Sequence, residues 1–118
     1  MRLSTLATSV LAVTPVMATR WVVSWEQTVG INCCARGTWW NDDLGKAYTV
    51  SNFNEGCHGA TQVDGVKEFC IDWGHERGHF IRLTGEKICV HGVSTEVVSQ
   101  TDYTATYRTI FSNTACTW

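Results

Sequence analysis

Alternation of apolar and polar residues predicts β-strands in three segments of the chain, residues 20–27, 47–53 and 103–111. In the first segment, Trp21 and Trp25 lie on one face, and polar side chains occupy most of the other. A period of two is typical of a strand with one buried face. The second segment is β-branched and aromatic, and the third alternates again. Together they predict a mainly β fold, a small antiparallel sheet or sandwich.

A three-stranded meander is predicted in the middle of the chain. Its strands are residues 67–73, 79–83 and 87–90, because short apolar runs there are separated by glycine-containing turns. The first two strands are joined by a hairpin loop over residues 74–78. The apolar face predicted for this meander carries Phe69, Ile71, Trp73, Ile81, Leu83, Ile88 and Val90.

The same region could instead form one helix, and the choice decides the chemistry of an H-E-x-x-H pattern at residues 75–79. A helix would have an apolar stripe, but Arg77 interrupts that stripe. Two interior glycines would each destabilise the helix by about 1 kcal/mol. We therefore expect the hairpin, with Gly74 or Gly78 in a backbone conformation of positive φ.

On a helix, His75 and His79 would lie one turn apart and hold zinc, with Glu76 as general base, as in zinc metalloproteases. A catalytic zinc needs a third protein ligand. The metzincin pattern would supply a histidine at position 85, where this chain has Gly85. The segment also contains the residue types of small secreted fungal ribonucleases, but side chains of one turn diverge. We expect no cofactor and no proteolysis, and a small zinc metalloprotease is the alternative.

Two further segments complete the predicted elements. Residues 30–46 are rich in glycine and polar side chains, which favours a loop with at most a short strand. Residues 94–101 are the one stretch that predicts a short helix, with Ser94 as its N-cap.

Residues 1–18 have the features of a secretory signal peptide. Arg2 precedes an apolar stretch, and Val16 and Ala18 are small residues at the positions that a cleavage site requires. Residues 19–118 suffice for one small domain. We therefore expect a secreted, extracellular protein without a membrane span.

The charge of the chain bears on its partners. The formal net charge is −2, and loss of Arg2 with the signal peptide makes the remaining domain more acidic. An acidic protein is a poor match for nucleic acid, which basic proteins bind through its phosphates. We therefore expect no nucleic-acid partner, and we expect a monomer that binds an extracellular protein or glycan.

The cysteine count is even, and in a short secreted chain this indicates a disulfide framework. Because Cys33 and Cys34 are adjacent, we expect each to bond a distant partner. In the predicted meander, Cys70 and Cys89 lie on its two outer strands, about 10 Å apart at ordinary strand spacing, so they cannot bond each other. We favour a Cys89–Cys116 bond. The framework is expected to use Cys33, Cys34, Cys57, Cys70, Cys89 and Cys116.

The segment T-W-W-N-D-D provides the candidate binding surface, made of Trp39, Trp40, Asn41, Asp42 and Asp43. Adjacent tryptophans point to opposite sides of an extended chain, so at least one ring can face solvent. An exposed indole beside amides and carboxylates suits stacking and hydrogen bonding to a sugar. A glycan-binding module is therefore a second alternative, although burial of both rings in the core is also consistent with the sequence.

The chain combines a short predicted signal peptide with six cysteines, and its sequence contains no complete catalytic set. In this architecture it resembles the small secreted cysteine-rich proteins of fungi, which include effectors and killer-toxin-like antifungal proteins. The resemblance implies a binding protein that acts on a host or competitor target outside the producing cell. It assigns no particular residue.

Overall fold

The computed structural model describes residues 19–29, 31–42 and 45–118. The predicted signal peptide and Asp43 therefore lie outside the described residues. The strands are β1 (Thr19–Thr28), β2 (Ile31–Asn41), β3 (Lys46–Val50), β4 (Gly56–Gly59), β5 (Val66–Asp72), β6 (Arg77–Arg82), β7 (Lys87–Gln100) and β8 (Thr104–Thr114), with one 3₁₀ turn at Trp73–His75 between β5 and β6.

The described strands form one antiparallel sheet in the order β3-β2-β1-β8-β7-β6-β5-β4. Among the described strands, β1 and β8 are the one pair of neighbours that are distant in sequence. Trp21 of β1 lies opposite Trp39 of β2 on one side and Phe111 of β8 on the other. The predictions of a mainly β fold and an antiparallel sheet are confirmed.

The sheet curls until strands far apart in its order pack against each other. Trp39 of β2 contacts Phe80 of β6 and Phe69 of β5, with ring centroids 4.8 and 5.6 Å apart. Strand twist accumulates across a sheet and brings its ends together in this way. The enclosed core is strongly aromatic, and its fully buried rings belong to Trp21, Trp39, Phe53, Phe69, Phe80 and Phe111.

The meander prediction is confirmed, since β5, β6 and β7 pair in sequence. The face predicted for its middle strand is wrong. Phe80 is fully buried, whereas Ile81 is partly exposed and Leu83 is 72% exposed. Phe80 lies opposite Phe69 and Ile88, so the buried residues of the three strands share one face. A shift of one residue moves a strand's side chains to the other face.

Two element predictions are corrected by strand pairing. The loop predicted over residues 30–46 is replaced between Ile31 and Asn41 by β2, which pairs with β1 on one side and β3 on the other. Residues 94–101 do not form a helix, because β7 extends to Gln100 and its β-branched Thr95 lies opposite Thr109. The part of the chain that the structure describes contains no α-helix.

All six cysteines are bonded, in the pairs Cys33–Cys34, Cys57–Cys70 and Cys89–Cys116. The favoured Cys89–Cys116 bond is confirmed, and Cys70 and Cys89 take separate partners as expected. The expectation that Cys33 and Cys34 bond distant partners is wrong. Cys34 has φ 65° and lies in a β-bulge, where β2 has one residue more than β1 between paired positions. The bulge interrupts the alternation that would send adjacent side chains to opposite faces.

Candidate functional site

The aromatic face of the core continues beyond its buried part at Trp25. This residue lies on the same face of β1 as Trp21 and Val23, but it is only half-buried. Its ring stacks on Tyr107 of β8, with centroids 4.4 Å apart and planes inclined by 19°. The indole Nε1–H donates to Oγ1 of Thr109 at 3.1 Å. Strand pairing and this hydrogen bond therefore hold the ring in place.

The second ring at this position is Trp73, from the turn between β5 and β6. It packs against Phe111 and Trp25, with centroid distances of 5.4 and 6.0 Å. Its Nε1–H donates to the carbonyl oxygen of Phe53 at 2.8 Å, and its backbone N–H donates to Oε1 of Glu55 at 2.8 Å. These bonds join the turn to the loop between β3 and β4 and fix the indole.

A third side is formed by the bulge in β2. Cys33 and Cys34 are both exposed there, joined in their disulfide ring. The neighbouring Ala35 is tied to the loop between β3 and β4. Its N–H donates to Oδ1 of Asn54 at 3.0 Å, and its carbonyl accepts from the N–H of Phe53 at 2.7 Å. The bulge that carries the disulfide and the loop between β3 and β4 are therefore joined, and together they form one wall of the site.

Glu76 completes the rim from the opposite side. Its backbone has φ 48°, the left-handed conformation that ends the 3₁₀ turn. The N–H of Glu76 donates to the carbonyl of Trp73 at 3.2 Å, and its own carbonyl accepts from the N–H of Gly92 at 2.7 Å. The backbone of Glu76 is thus held through both its N–H and its carbonyl, the first within the turn and the second by β7.

These segments enclose an open cavity of about 620 Å³. That volume lies within the range of about 300–1,000 Å³ that is usual for small-molecule sites. We call this cavity the tryptophan pocket. It is lined by Trp25, Asn32, Cys33, Cys34, Ala35, Asn54, Glu55, Trp73 and Glu76.

The hairpin places the two histidines of the H-E-x-x-H pattern, His75 and His79, in different elements. His75 lies in the 3₁₀ turn, with Nδ1 2.8 Å from Oδ2 of Asp72, and His79 lies on β6 with its ring 4.8 Å from that of Trp118. Glu76 lines the tryptophan pocket instead. The helix that would bring both imidazoles to one metal is not formed, and the hairpin prediction for this segment is confirmed.

The pKa values of two groups around this hairpin are shifted. Desolvation raises the pKa of Asp72, but hydrogen bonds from His75 and Arg77 together with the charge of His75 outweigh it, so this pKa lies below its usual value. Burial lowers the pKa of His79, and Lys87 lowers it further. Glu68 opposes this shift only in part. Asp72 is therefore held as an anion, and the neutral form of His79 is favoured.

Among the described residues, one group combines metal-ligating side chains, namely Cys57, Glu68 and Cys70, with ligand atoms within 4.8 Å of one another. The two cysteines are bonded to each other. Their sulfurs are therefore not the thiolates that bind metal ions, and this group does not form a metal site.

The segment predicted as a binding surface is divided between core and surface. Trp39 is 1% exposed and Asn41 is 6% exposed, so neither is accessible to a ligand. Trp40 is 37% exposed, with the guanidinium of Arg20 5.5 Å from its ring centroid. Arg20 also forms an ion pair with Asp42 at 3.5 Å. Trp40 and Asp42 therefore remain on the surface, and Asp43 lies outside the described residues.

Sequence reasoning did not identify the residues of the tryptophan pocket as a site, apart from Glu76 in its metalloprotease role. Trp25 and Trp73 were recognised only as apolar positions on strands. The one direct signal of this site in the sequence is the adjacent pair Cys33 and Cys34. From the sequence, we expected each of these cysteines to bond a different, distant cysteine. The pocket is assembled from β1, β2, the loop after β3 and the turn after β5, and no short motif spans these segments.

No protein-family model, curated protein or solved structure matches this chain.

Within the described ranges, the structure contains no helix of the length and apolar character needed to cross a membrane.

Proposed function

We propose that this chain is an extracellular binding protein whose tryptophan pocket holds a small organic ligand or an exposed group of a larger target. One observation carries the proposal. The aromatic core opens at Trp25 and Trp73 into a cavity of about 620 Å³ with polar groups around it. Apolar walls combined with a few fixed polar groups are the usual composition of a ligand site.

The positions of the pocket residues favour binding by a preformed site. Both indole N–H groups donate within the protein, to Thr109 and Phe53, so the rings are already oriented. The wall formed by Ala35 and the loop after β3 is held by two backbone hydrogen bonds. A preformed site loses little conformational entropy on binding, which increases affinity.

The disulfide framework supports the cellular location in this proposal. Three disulfides in a small domain are typical of proteins that function in an oxidising environment outside the cytosol. Within that setting, we propose an effector-like or antifungal-toxin-like role against a host or competitor target. The support for this narrower role is the resemblance in chain architecture.

The proposal is tested by following the six indole N–H signals of the protein in nuclear magnetic resonance spectra. Each signal is assigned with a single Trp→Phe variant, and the protein is titrated with monosaccharides and small ring-bearing fragments. We expect binders to shift the signals of Trp25 and Trp73. Shifts confined to Trp40 would favour the surface glycan site instead, and a panel without any binder would contradict the proposal.

The zinc metalloprotease alternative needs a separate assay. Casein is incubated with the purified protein, with and without zinc, alongside a His75→Ala variant. Because His75 and His79 lie apart in the hairpin, we expect no zinc-dependent cleavage. Cleavage that requires zinc and is lost in the variant would establish the alternative.

A further inference from the structure

We infer that the tryptophan pocket selects an organic ammonium cation, and this inference rests on the proposed function of the pocket. The chemical class includes the primary ammonium of an amino sugar and a quaternary ammonium such as choline. The inference depends on three features of the pocket, namely the charge of its lining, the segments that carry its carboxylates and the part of each indole that remains available.

The charge of the lining has one sign. Of the nine described residues that line the pocket, Glu55 and Glu76 are acidic and none is lysine or arginine. Ion pairs elsewhere in the described residues neutralise Asp42, Asp72, Glu86 and Glu96, but none involves Glu55 or Glu76. Two carboxylates without a cationic partner at one cavity create a negative potential, which attracts cations and repels anions.

The Glu55 carboxylate is held by a hydrogen bond, and Glu76 is carried on a backbone that is itself hydrogen-bonded. Oε1 of Glu55 accepts the backbone N–H of Trp73 at 2.8 Å, which leaves Oε2 for a ligand. Glu76 is fixed through its backbone, whose carbonyl accepts from the N–H of Gly92 at 2.7 Å. The acidic groups thus belong to two different segments, the loop after β3 and the turn after β5, and both residues line the pocket.

The indoles contribute ring surface and no hydrogen-bond donor. The Nε1–H of Trp25 is bonded to Thr109 and that of Trp73 to Phe53, so neither can donate to a bound anion or carbonyl. The remaining ring surface attracts cations, and tryptophan does so most strongly of the aromatic side chains. Aromatic walls beside uncompensated carboxylates form the arrangement that favours ammonium groups over neutral groups of the same shape.

The inference is tested by calorimetry with two matched pairs of ligands at mildly acidic pH. Choline is compared with 3,3-dimethyl-1-butanol, which has the same shape without the charge. The glucosamine trimer is compared with the N-acetylglucosamine trimer, which has no ammonium group. We expect the charged member of at least one pair to bind about tenfold more tightly. The pair that shows the preference identifies a quaternary or a primary ammonium as the natural group.

Variants separate the charge effect from the shape of the site. Glu76→Gln keeps the size of the side chain and removes its charge, so we expect it to abolish most of the preference for the charged ligand. Glu96→Gln is the matched control, because Glu96 pairs with Arg108 and does not line the pocket. Thermal melts of both variants establish that they fold.

Two outcomes would overturn the inference. If neutral members bind as tightly as charged ones and Glu76→Gln changes nothing, the pocket binds ligands without selecting cations, and the proposed function stands. If no member of either pair binds, the inference fails. The fragment titration of the indole signals then decides independently whether the pocket binds any ligand.

Discussion

Glu76 has the left-handed backbone conformation at the turn between β5 and β6, with φ 48°. Glycine is the residue that adopts this conformation most readily, and the sequence led us to expect it at Gly74 or Gly78. That expectation is wrong, since neither glycine has positive φ. Gly78 is needed for a different reason. A Cβ added there would lie 2.5 Å from Cζ3 of Trp21 and 2.9 Å from the carbonyl oxygen of Cys70.

These distances predict unequal effects for two alanine substitutions. Gly78→Ala should lower the free energy of unfolding by about 1–3 kcal/mol, because the added methyl group overpacks the core against Trp21. Gly74→Ala is the matched control and should be nearly neutral, because its Cβ meets only Oδ1 of Asp72 at 3.4 Å. Urea denaturation measures both values. Equal losses in the two variants would contradict this explanation.

His79 is one residue whose titration links the stability of the fold to pH. Its Nδ1 is buried without a hydrogen-bond partner, its ring packs against Trp118, and Lys87 adds a nearby positive charge. Protonation would place a second charge in this partly desolvated position. The pKa of His79 in the folded protein therefore lies below its ordinary value of 6.5, with burial as the main cause.

The shift predicts that acid destabilises the fold through His79. As the pH falls through about 6.5 towards the lower folded pKa, the unfolded chain binds a proton that the folded chain resists, so the free energy of unfolding decreases. A His79→Gln variant should show a shallower decrease in urea denaturation measured over this range. His91→Gln is the control, because His91 is exposed on β7. An unchanged slope in His79→Gln would refute this explanation.

Among the elements, β2 shows how strand pairing overrides local sequence. Its glycine and polar residues favour a loop, yet it hydrogen-bonds to β1 and β3, and Trp39 reaches the core from it. The bulge at Cys34 also carries the Cys33–Cys34 disulfide, which lines the tryptophan pocket. Gly37 permits the close approach of β1, since a Cβ there would lie 1.9 Å from the carbonyl oxygen of Val22.

The disulfides should contribute to stability according to the length of chain that each one closes. The Cys33–Cys34 bond has a sequence separation of 1 and the Cys89–Cys116 bond a separation of 27. Replacing Cys89 and Cys116 with alanine should therefore cost about 3–4 kcal/mol of unfolding free energy, whereas replacing Cys33 and Cys34 with serine should cost much less. Chemical denaturation compares the two variants. The reverse order would show that the bonds do not act mainly through the entropy of the unfolded chain.

For the whole molecule, closure of the curled sheet depends on contacts between distant parts of the chain. Trp21 packs against Phe53, Phe69 and Phe111, which come from a loop and two different strands. The Cys89–Cys116 bond and the ring of Trp118, which lies 4.1 Å from the guanidinium of Arg77, hold the C-terminal segment on the outer face of the sheet. The disulfide connectivity is thus a direct test of this architecture.

Tryptic digestion without reduction should yield a distinctive set of peptides. Cleavage after lysine and arginine places Cys33 and Cys34 together in residues 21–36, so this peptide should be internally bonded. Residues 47–67 should be linked to residues 68–77, and residues 88–108 to residues 109–118. Mass spectrometry identifies each species. A link between residues 21–36 and any other peptide, or alkylation of an unreduced cysteine, would contradict the structure.

The sequence by itself determined the mainly β class, the meander and its hairpin, and it favoured the Cys89–Cys116 bond without fixing it. It could do so because strand periodicity and tight turns are local, whereas strand spacing excluded only a Cys70–Cys89 bond. Pairing with neighbouring strands decided three further features. These are the side of β6 that faces the core, the extent of β2 and the end of β7. The tryptophan pocket was decided by the tertiary structure alone. Trp25, Cys34, Glu55 and Glu76 are separated along the chain, and only curling of the sheet places them around one cavity.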